Sequence, residues 1–414
     1  MKKTWIAVAV VAALPLAGCG GSAPAGAGGG AQDRATGDPI KIGSLHPLSG
    51  SAAADGQQME NGAKLAVEAV NAAGGIKSLG GAKLELLSAD TQGKPEVGQS
   101  EAQRIVSEGA VALVGTYQSA VSATVSTVAE RNKVPFVIDI SSSDSLLSQG
   151  YKNVFRIQPS SKVMGTQGAQ YLSEVSKAAG KPAAKVAILH EQGPFGTTVK
   201  DGFAAEAAKL GMQVVSAVSY DPASVSDFTT QVAAVKASGA NVLMVSGYYR
   251  DGVLLAQAVK TVKPGLDAVF GVANGAFDVP QFPAEAAGAG DGFFDSNYHF
   301  DAKNPETVAL AAKFKAAYKA EMRTGAVLSY DAVRVIAAAL EKAGKAEPAA
   351  VRDAIAQTDL ASLIATKGPI SFDETGENKN AMPILTQVQG QKVVQVFPAD
   401  KAEAKPVYPA SPGQ

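Results

Sequence analysis

The feature that most constrains this chain is an alternation that recurs from residue 40 to about residue 298. A short apolar run of strand type is followed by a polar loop, then by a helix-length segment with apolar residues three and four apart. Residues 111–145, VALVGTYQSAVSATVSTVAERNKVPFVIDISSSDS, carry it most clearly. Residues 111–114 are strand-like, and Gly115-Thr116-Tyr117-Gln118-Ser119 is a turn rich in hydroxyls. Residues 120–131 put Val121, Val125, Val128 and Ala129 on one helical face. Residues 135–140 read as a second buried strand, followed by Ser141, Ser142, Ser143 and Asp144. Strands alternating with helices of this length predict parallel sheets, and ligands of such sheets sit outside the carboxyl ends of the strands. Both polar loops lie at such ends, and the first opens a helix whose free N–H groups suit an anion. Ser119 and Ser143 add hydroxyl donors, which makes a small site suited to a carboxylate. Taken singly, Ser119 serves equally well as a helix cap, and the serine run as a solvated turn.

The alternation runs in two blocks, the first to about residue 157 and the second to about residue 291, and then it fails. Residues 305–322, 327–342 and 348–357 read as three consecutive helices, and residues 367–372 as a short strand. Residues 382–388 and 391–397 read as a hairpin over Gly390, and residues 399–414 as a disordered polar tail. The late helices have to cover apolar faces left open on an earlier sheet, so the chain crosses between two bodies more than once. The expected fold class is therefore α/β, with two doubly wound parallel-sheet lobes joined by a multi-crossing hinge. The expected division puts residues 39–157 and 296–378 in lobe 1, and residues 158–295 and 379–398 in lobe 2.

A length of 414 residues fits two such domains. The formal charge of −1, with no basic stretch in the body of the chain, offers nothing to nucleic acid. His46, His190 and His299 are too scattered for a metal site, and residues 373–380 lack EF-hand spacing. No cofactor is expected. The single cysteine carries more information. Lys2 and Lys3 precede an apolar run at residues 5–16, too short to span a bilayer, and Leu16-Ala17-Gly18-Cys19 follows. That tetrapeptide resembles the bacterial lipobox, which implies cleavage before Cys19 and a lipid on its sulfur. Residues 1–18 are then a signal peptide, and residues 19–38, rich in Gly, Ala and Ser, a flexible tether. The expectation is an extracytoplasmic monomer anchored to the membrane through Cys19.

Several segments together resemble the leucine/isoleucine/valine-binding branch of ATP-binding-cassette importer receptors, which have the type I periplasmic-binding-protein fold. Glu68-Ala69-Val70-Asn71-Ala72-Ala73-Gly74-Gly75-Ile76 is similar to that family's most recognisable motif. Ile42-Gly43 with Leu48-Ser49-Gly50, Val134-Pro135-Phe136, Phe155-Arg156, Phe195-Gly196 after Glu191, Gly247-Tyr248 and Ser329-Tyr330-Asp331-Ala332 resemble further landmarks in order. The resemblance spans residues 39–398 and implies a receptor that binds an apolar amino acid and presents it to permease subunits. It implies that Ser119 meets the ligand carboxylate beside Tyr117, that Ser143 meets carboxylate and ammonium with the backbone of Ser141 alongside, and that Phe195 and Tyr248 supply lobe-2 contacts. The family's ammonium-binding acid belongs in residues 272–278, where this chain has Asn274 and, later, Asp278. Burying an unpaired ammonium is costly. Either Asp278, Asp55 or Asp139 serves, or the ligand is not an α-amino acid but an aliphatic or aromatic carboxylate, an amide or a urea. No Gly-x-Ser-x-Gly elbow and no His-Glu-x-x-His helix is present, which argues against a hydrolase. A non-transport sensor on the same fold remains a third class.

Overall fold

The computed structural model describes residues 38–413. The expected signal peptide, nearly all of the tether and the Cys19 lipidation site lie outside the described residues. Lobe 1 is built on a five-stranded sheet of β1 (Ile40–His46), β2 (Leu84–Asp90), β3 (Ala112–Gly115), β4 (Phe136–Ile138) and β5 (Val154–Arg156). Its order is β2-β1-β3-β4-β5, and every pairing is parallel. The two-residue side-chain period of a strand sorts its residues between two cores. Ala112, Val114 and Val137 pack on one face, and Leu113, Phe136 and Ile138 on the other. The second face is closed by α2 (Pro95–Ser107) and α3 (Ser119–Asn132).

The first face is closed by α1 (Ala53–Ala72) together with the late helices α9 (Pro305–Tyr318), α10 (Thr324–Ala343) and α11 (Pro348–Ile355). Gly62 lets α1 and α10 touch, since a Cβ there would lie 2.0 Å from the Ala326 carbonyl oxygen. The expectation that the late helices cover an open face of an earlier sheet holds in this packing.

Lobe 2 carries a seven-stranded sheet of β6 (Lys185–Glu191), β7 (Gln213–Tyr220), β8 (Val242–Gly247), β9 (Ala268–Asn274), β10 (Phe294–Asn297), β11 (Ile384–Gln389) and β12 (Lys392–Phe397). Its order is β12-β11-β10-β9-β8-β6-β7, parallel except at the antiparallel β10–β11 and β11–β12 pairs. Helices α4 (Ser161–Ala178) and α5 (Pro194–Lys209) cover one face. Helices α6 (Thr229–Ala237), α7 (Tyr249–Val262) and α8 (Phe282–Glu285) cover the other. The late hairpin forms as expected.

The chain passes between lobes after β5, after β10 and before β11. The first and third passages are tied together: Asn378 Nδ2 donates to the Ile157 carbonyl at 2.7 Å, and Glu377 pairs with the buried Arg156 guanidinium. Three expectations need correction. Ser296 and Asn297 belong to β10 of lobe 2, so the second passage begins two residues later than the loop signals imply. Residues 367–372 form only isolated bridges, Leu360 to Ile370 and Phe372 to Asn378, because no neighbouring strand lies alongside them. The tail is packed on lobe 2 and not disordered. Val407 exchanges two hydrogen bonds with the Gln387 side chain at 2.8 and 2.9 Å, Ala410 N–H donates to Asp267 O at 2.8 Å, and Tyr408 is buried. A glutamine side chain reading one backbone residue of the tail is invisible to a composition argument.

Candidate functional site

The carboxyl ends of β3 and β4 form the lobe-1 wall of the cleft. Helix α3 starts at Ser119 without a side-chain cap, so the cap expected of Ser119 is absent. The N–H groups of Val121 and Ser122 both reach Gln118 O at 3.0 Å, while those of Ser119 and Ala120 have no partner among the described residues. Ser119 Oγ accepts the Ser143 N–H at 3.2 Å, which leaves its own hydrogen to donate. Two free N–H groups and a hydroxyl at a helix N-terminus form an anion site.

The serine loop is cross-braced. Ser141 Oγ donates to Thr116 O at 2.6 Å and lies 2.6 Å from Ser122 Oγ, and its carbonyl accepts Gln158 Nε2 at 2.7 Å. Ser141 is therefore a brace behind the wall. The Ser143 hydroxyl is turned to Ser145 Oγ at 3.0 Å, and the Ser143 carbonyl accepts Arg156 Nη1 at 2.8 Å. Of Ser143, the backbone N–H, and not the expected hydroxyl, stands at the Ser119 position. Ser142, which the sequence reading passed over, lines the cleft instead.

Aromatic rings from both lobes complete a first chamber of about 290 Å³, the lower end of the range for small-ligand sites. Tyr117 of lobe 1 lies 5.2 Å from Tyr248 of lobe 2, ring centre to ring centre, and Tyr248 lies 5.8 Å from Phe195. Tyr298, at the carboxyl end of β10, is the fourth ring and was not among the sequence candidates. Burial pushes the Tyr117, Tyr248 and Tyr298 hydroxyls well up from their ordinary range, so they stay protonated. Gly275 admits the Tyr117 hydroxyl, which a Cβ there would approach to 3.1 Å. No carboxylate side chain lines this chamber.

A second chamber of about 430 Å³ shares Tyr117, Ile140, Gly275 and Tyr298 with the first. Its wall adds Asp55, Gln58, Asp278, Asn297, Arg323 and Thr324. Asp55 accepts Arg323 Nη1 at 2.8 Å; burial pushes its carboxyl up to about 6 against the downward pull of Arg323. The Arg323 guanidinium also sits 4.0 Å over the Tyr249 ring of lobe 2, a cation–π contact across the cleft. Asp278 Oδ2 lies 3.2 Å from His299 Nδ1, which is 3.3 Å from Thr324 Oγ1. Asn274 is not brought to the cleft. Ala273 takes a left-handed φ of +52°, and the Asn274 carbonyl oxygen of the side chain then caps Ala276 N–H at 3.0 Å, inside lobe 2.

Asp139, the remaining acid considered, belongs to a buried lobe-1 network. Its Oδ2 accepts His46 Nε2 at 2.8 Å and Ser329 Oγ at 2.6 Å. Glu60 lies on the other side of the imidazole, 3.6 Å from Nδ1, and also accepts Ser44 Oγ at 2.6 Å and Ser88 Oγ. Burial alone would lower the His46 pKa, yet Asp139 and Glu60 hold it at about 9. Burial alone would raise that of Glu60, yet His46 and the two serines bring it to about 2. The network fixes the β1 loop against β4 and α10, and so braces the wall from behind.

With this geometry in place, comparison with known proteins gives one consistent result. The family model described as periplasmic binding protein matches residues 39–392. Leu/Ile/Val-binding protein homolog 8 of Brucella melitensis is 30% identical over 376 residues, covering 88% of this chain and 92% of that protein. Among solved structures, the branched-chain amino acid transporter substrate-binding protein of Streptococcus pneumoniae in complex with isoleucine is 22% identical. It covers 90% of this chain and 100% of that one, with a TM-score of 0.75. A solute-binding protein of an ABC transporter from R. palustris in complex with benzoate is 21% identical, covering 86% of this chain and 95% of that one, with a TM-score of 0.73. At such identities the two structures speak to the fold.

Proposed function

Because the chain belongs to the periplasmic binding protein family, whose members are receptors and not enzymes, we propose that it is the solute-binding lipoprotein of an ATP-binding-cassette importer and that its solute is a small carboxylate. Cys19 holds it to the outer face of the membrane, and it hands solute to permease subunits as a monomer. The observation that carries the ligand reading is the first chamber itself. It combines the free N–H groups of Ser119 and Ala120 and the Ser119 hydroxyl with four aromatic rings drawn from both lobes. The carboxylate sits at the α3 N-terminus against Ser119 and the Ser143 N–H, and the body of the solute lies among Tyr117, Phe195, Tyr248 and Tyr298. Lobe 1 binds first, and closure adds the lobe-2 rings, so solute shifts the open–closed equilibrium by its better fit to the closed form.

A second reading is a branched-chain or other apolar α-amino acid. The name of the 30% identical Brucella relative favours it. It requires an acid next to the bound carboxylate, and no carboxylate side chain lines the first chamber. Calorimetry on the purified protein, unfolded and refolded to strip bound solute, separates the two. The panel pairs leucine with 4-methylpentanoate and phenylalanine with 3-phenylpropanoate, and adds benzoate. The proposal expects the amine-free acids to bind at least as tightly as their amino acids. Binding of the amino acids alone would establish the second reading, and no binding by any member would remove the carboxylate site.

A further inference from the structure

Asp278 is the acid in the cleft that the carboxylate reading leaves without a task. Its side chain is only 5% exposed and it lines the second chamber. One of its oxygens meets His299, and the other, Oδ1, has no hydrogen-bond partner among the described residues. Arg323 Nε, in the same chamber, is also buried and unpartnered. Asp55 does not supply the missing donor, because its carboxylate is committed to Arg323 Nη1. Behind Asp278 lies Asp295, fully buried and pushed well up by burial and by its neighbour Asp278, so the surroundings of Oδ1 favour an incoming N–H over any further anion. A buried acceptor left open in this way costs free energy until a donor fills it.

The two chambers are one continuous space through their shared wall of Tyr117, Ile140, Gly275 and Tyr298. A solute with its carboxylate at Ser119 and its body between the rings therefore directs its far end into the second chamber. We propose that the far end of the solute carries N–H donors, as an ammonium or a carboxamide, that Asp278 Oδ1 accepts, so that Asp278 is a specificity-determining residue. This inference rests on the carboxylate reading. An apolar far end would leave Asp278 Oδ1 and Arg323 Nε both unpaired in the closed form. A carboxamide answers both, its N–H facing Asp278 and its oxygen facing Arg323. An ammonium answers Asp278 alone.

The test uses para-substituted benzoates of nearly equal shape: 4-(aminomethyl)benzoate, 4-carbamoylbenzoate and 4-ethylbenzoate, with benzoate as reference, titrated into the stripped full-length protein. The expected result is that at least one donor-bearing acid binds about tenfold or more tightly than 4-ethylbenzoate, the size of one hydrogen bond to a charged group. Asp278→Asn is expected to remove that preference while changing the affinity for 4-ethylbenzoate less than about threefold. Asp278→Ser serves the same end if the Asn variant does not fold. Equal or tighter binding of 4-ethylbenzoate by the wild type would overturn the inference while leaving the carboxylate reading intact, as would a preference that survives in both variants. If benzoate and all three derivatives fail to bind, the carboxylate reading falls and this one with it.

Discussion

The two lobes meet the cleft with differently finished surfaces. On lobe 1, the loops after β3 and β4 are tied by Thr116, Ser122 and Ser141 to one another, by Gln158 and Arg156 to the first passage, and from behind by the His46–Asp139–Ser329 network. On lobe 2, the facing loop from Ala273 to Asp278 holds a left-handed non-glycine residue, an unpartnered Asn274 amide nitrogen and the open Asp278 oxygen, beside half-buried rings. The difference separates two tasks. A braced wall keeps N–H groups and a hydroxyl aimed before any solute arrives, which limits the ordering cost of binding. A looser wall that arrives on closure reads what the solute carries.

Three substitutions break or sharpen this contrast, in decreasing order of effect. His46→Ala removes the cation between two buried carboxylates, and losing one partner of a buried pair costs roughly 3–5 kcal/mol. Chemical denaturation should show that loss, and solute affinity should fall with it because the lobe-1 wall loses its brace. The same network sets a pH window. His46 is raised from its ordinary 6.5 to about 9, so its contribution is complete below 6.5 and disappears as pH rises through 9. Glu60 is lowered from 4.5 to about 2, so its contribution is complete above 4.5 and disappears as pH falls through 2. Stability against denaturant should plateau between those limits, and a profile that keeps rising past pH 9 would contradict the assignment.

Ser119→Ala tests the front of the same wall. It should weaken carboxylate binding by about 1.5–3 kcal/mol and leave the unfolding free energy within about 0.5 kcal/mol of wild type. Calorimetry showing unchanged affinity would move the anion site elsewhere. Arg323→Ala acts on the contact between walls. It removes the cation over Tyr249, and a partly desolvated cation–π pair is worth about 0.5–2 kcal/mol. The expected readout is a severalfold weaker solute affinity through a less favoured closed state, seen as faster dissociation in stopped-flow measurements.

Much of the scaffold was legible because periodicity reports burial. The alternate placement of Leu113 and Val114 on opposite faces, and the apolar stripe of α3, follow directly from strand and helix geometry. Ser119 was legible for a related reason, since a strand's carboxyl end and a helix start coincide there. Tyr298 obeys the same rule at the end of β10 and could have been found by it. Arg323 could not, because it reaches the cleft only when α10 folds back across lobe 1 after the second passage, a placement that local sequence does not encode. Asn274 was misplaced for a backbone reason. The left-handed turn at Ala273 rotates the next side chain into lobe 2, and nothing about an alanine signals that turn.

The central claim is that solute draws the two walls together on a carboxylate. Small-angle X-ray scattering on the stripped protein tests it most directly, with and without the tightest-binding acid of the panel at saturation. The account predicts a smaller radius of gyration with solute bound, and loss of that change at the same concentration in Ser119→Ala. Saturation, confirmed by calorimetry, with no change in the radius of gyration would contradict it.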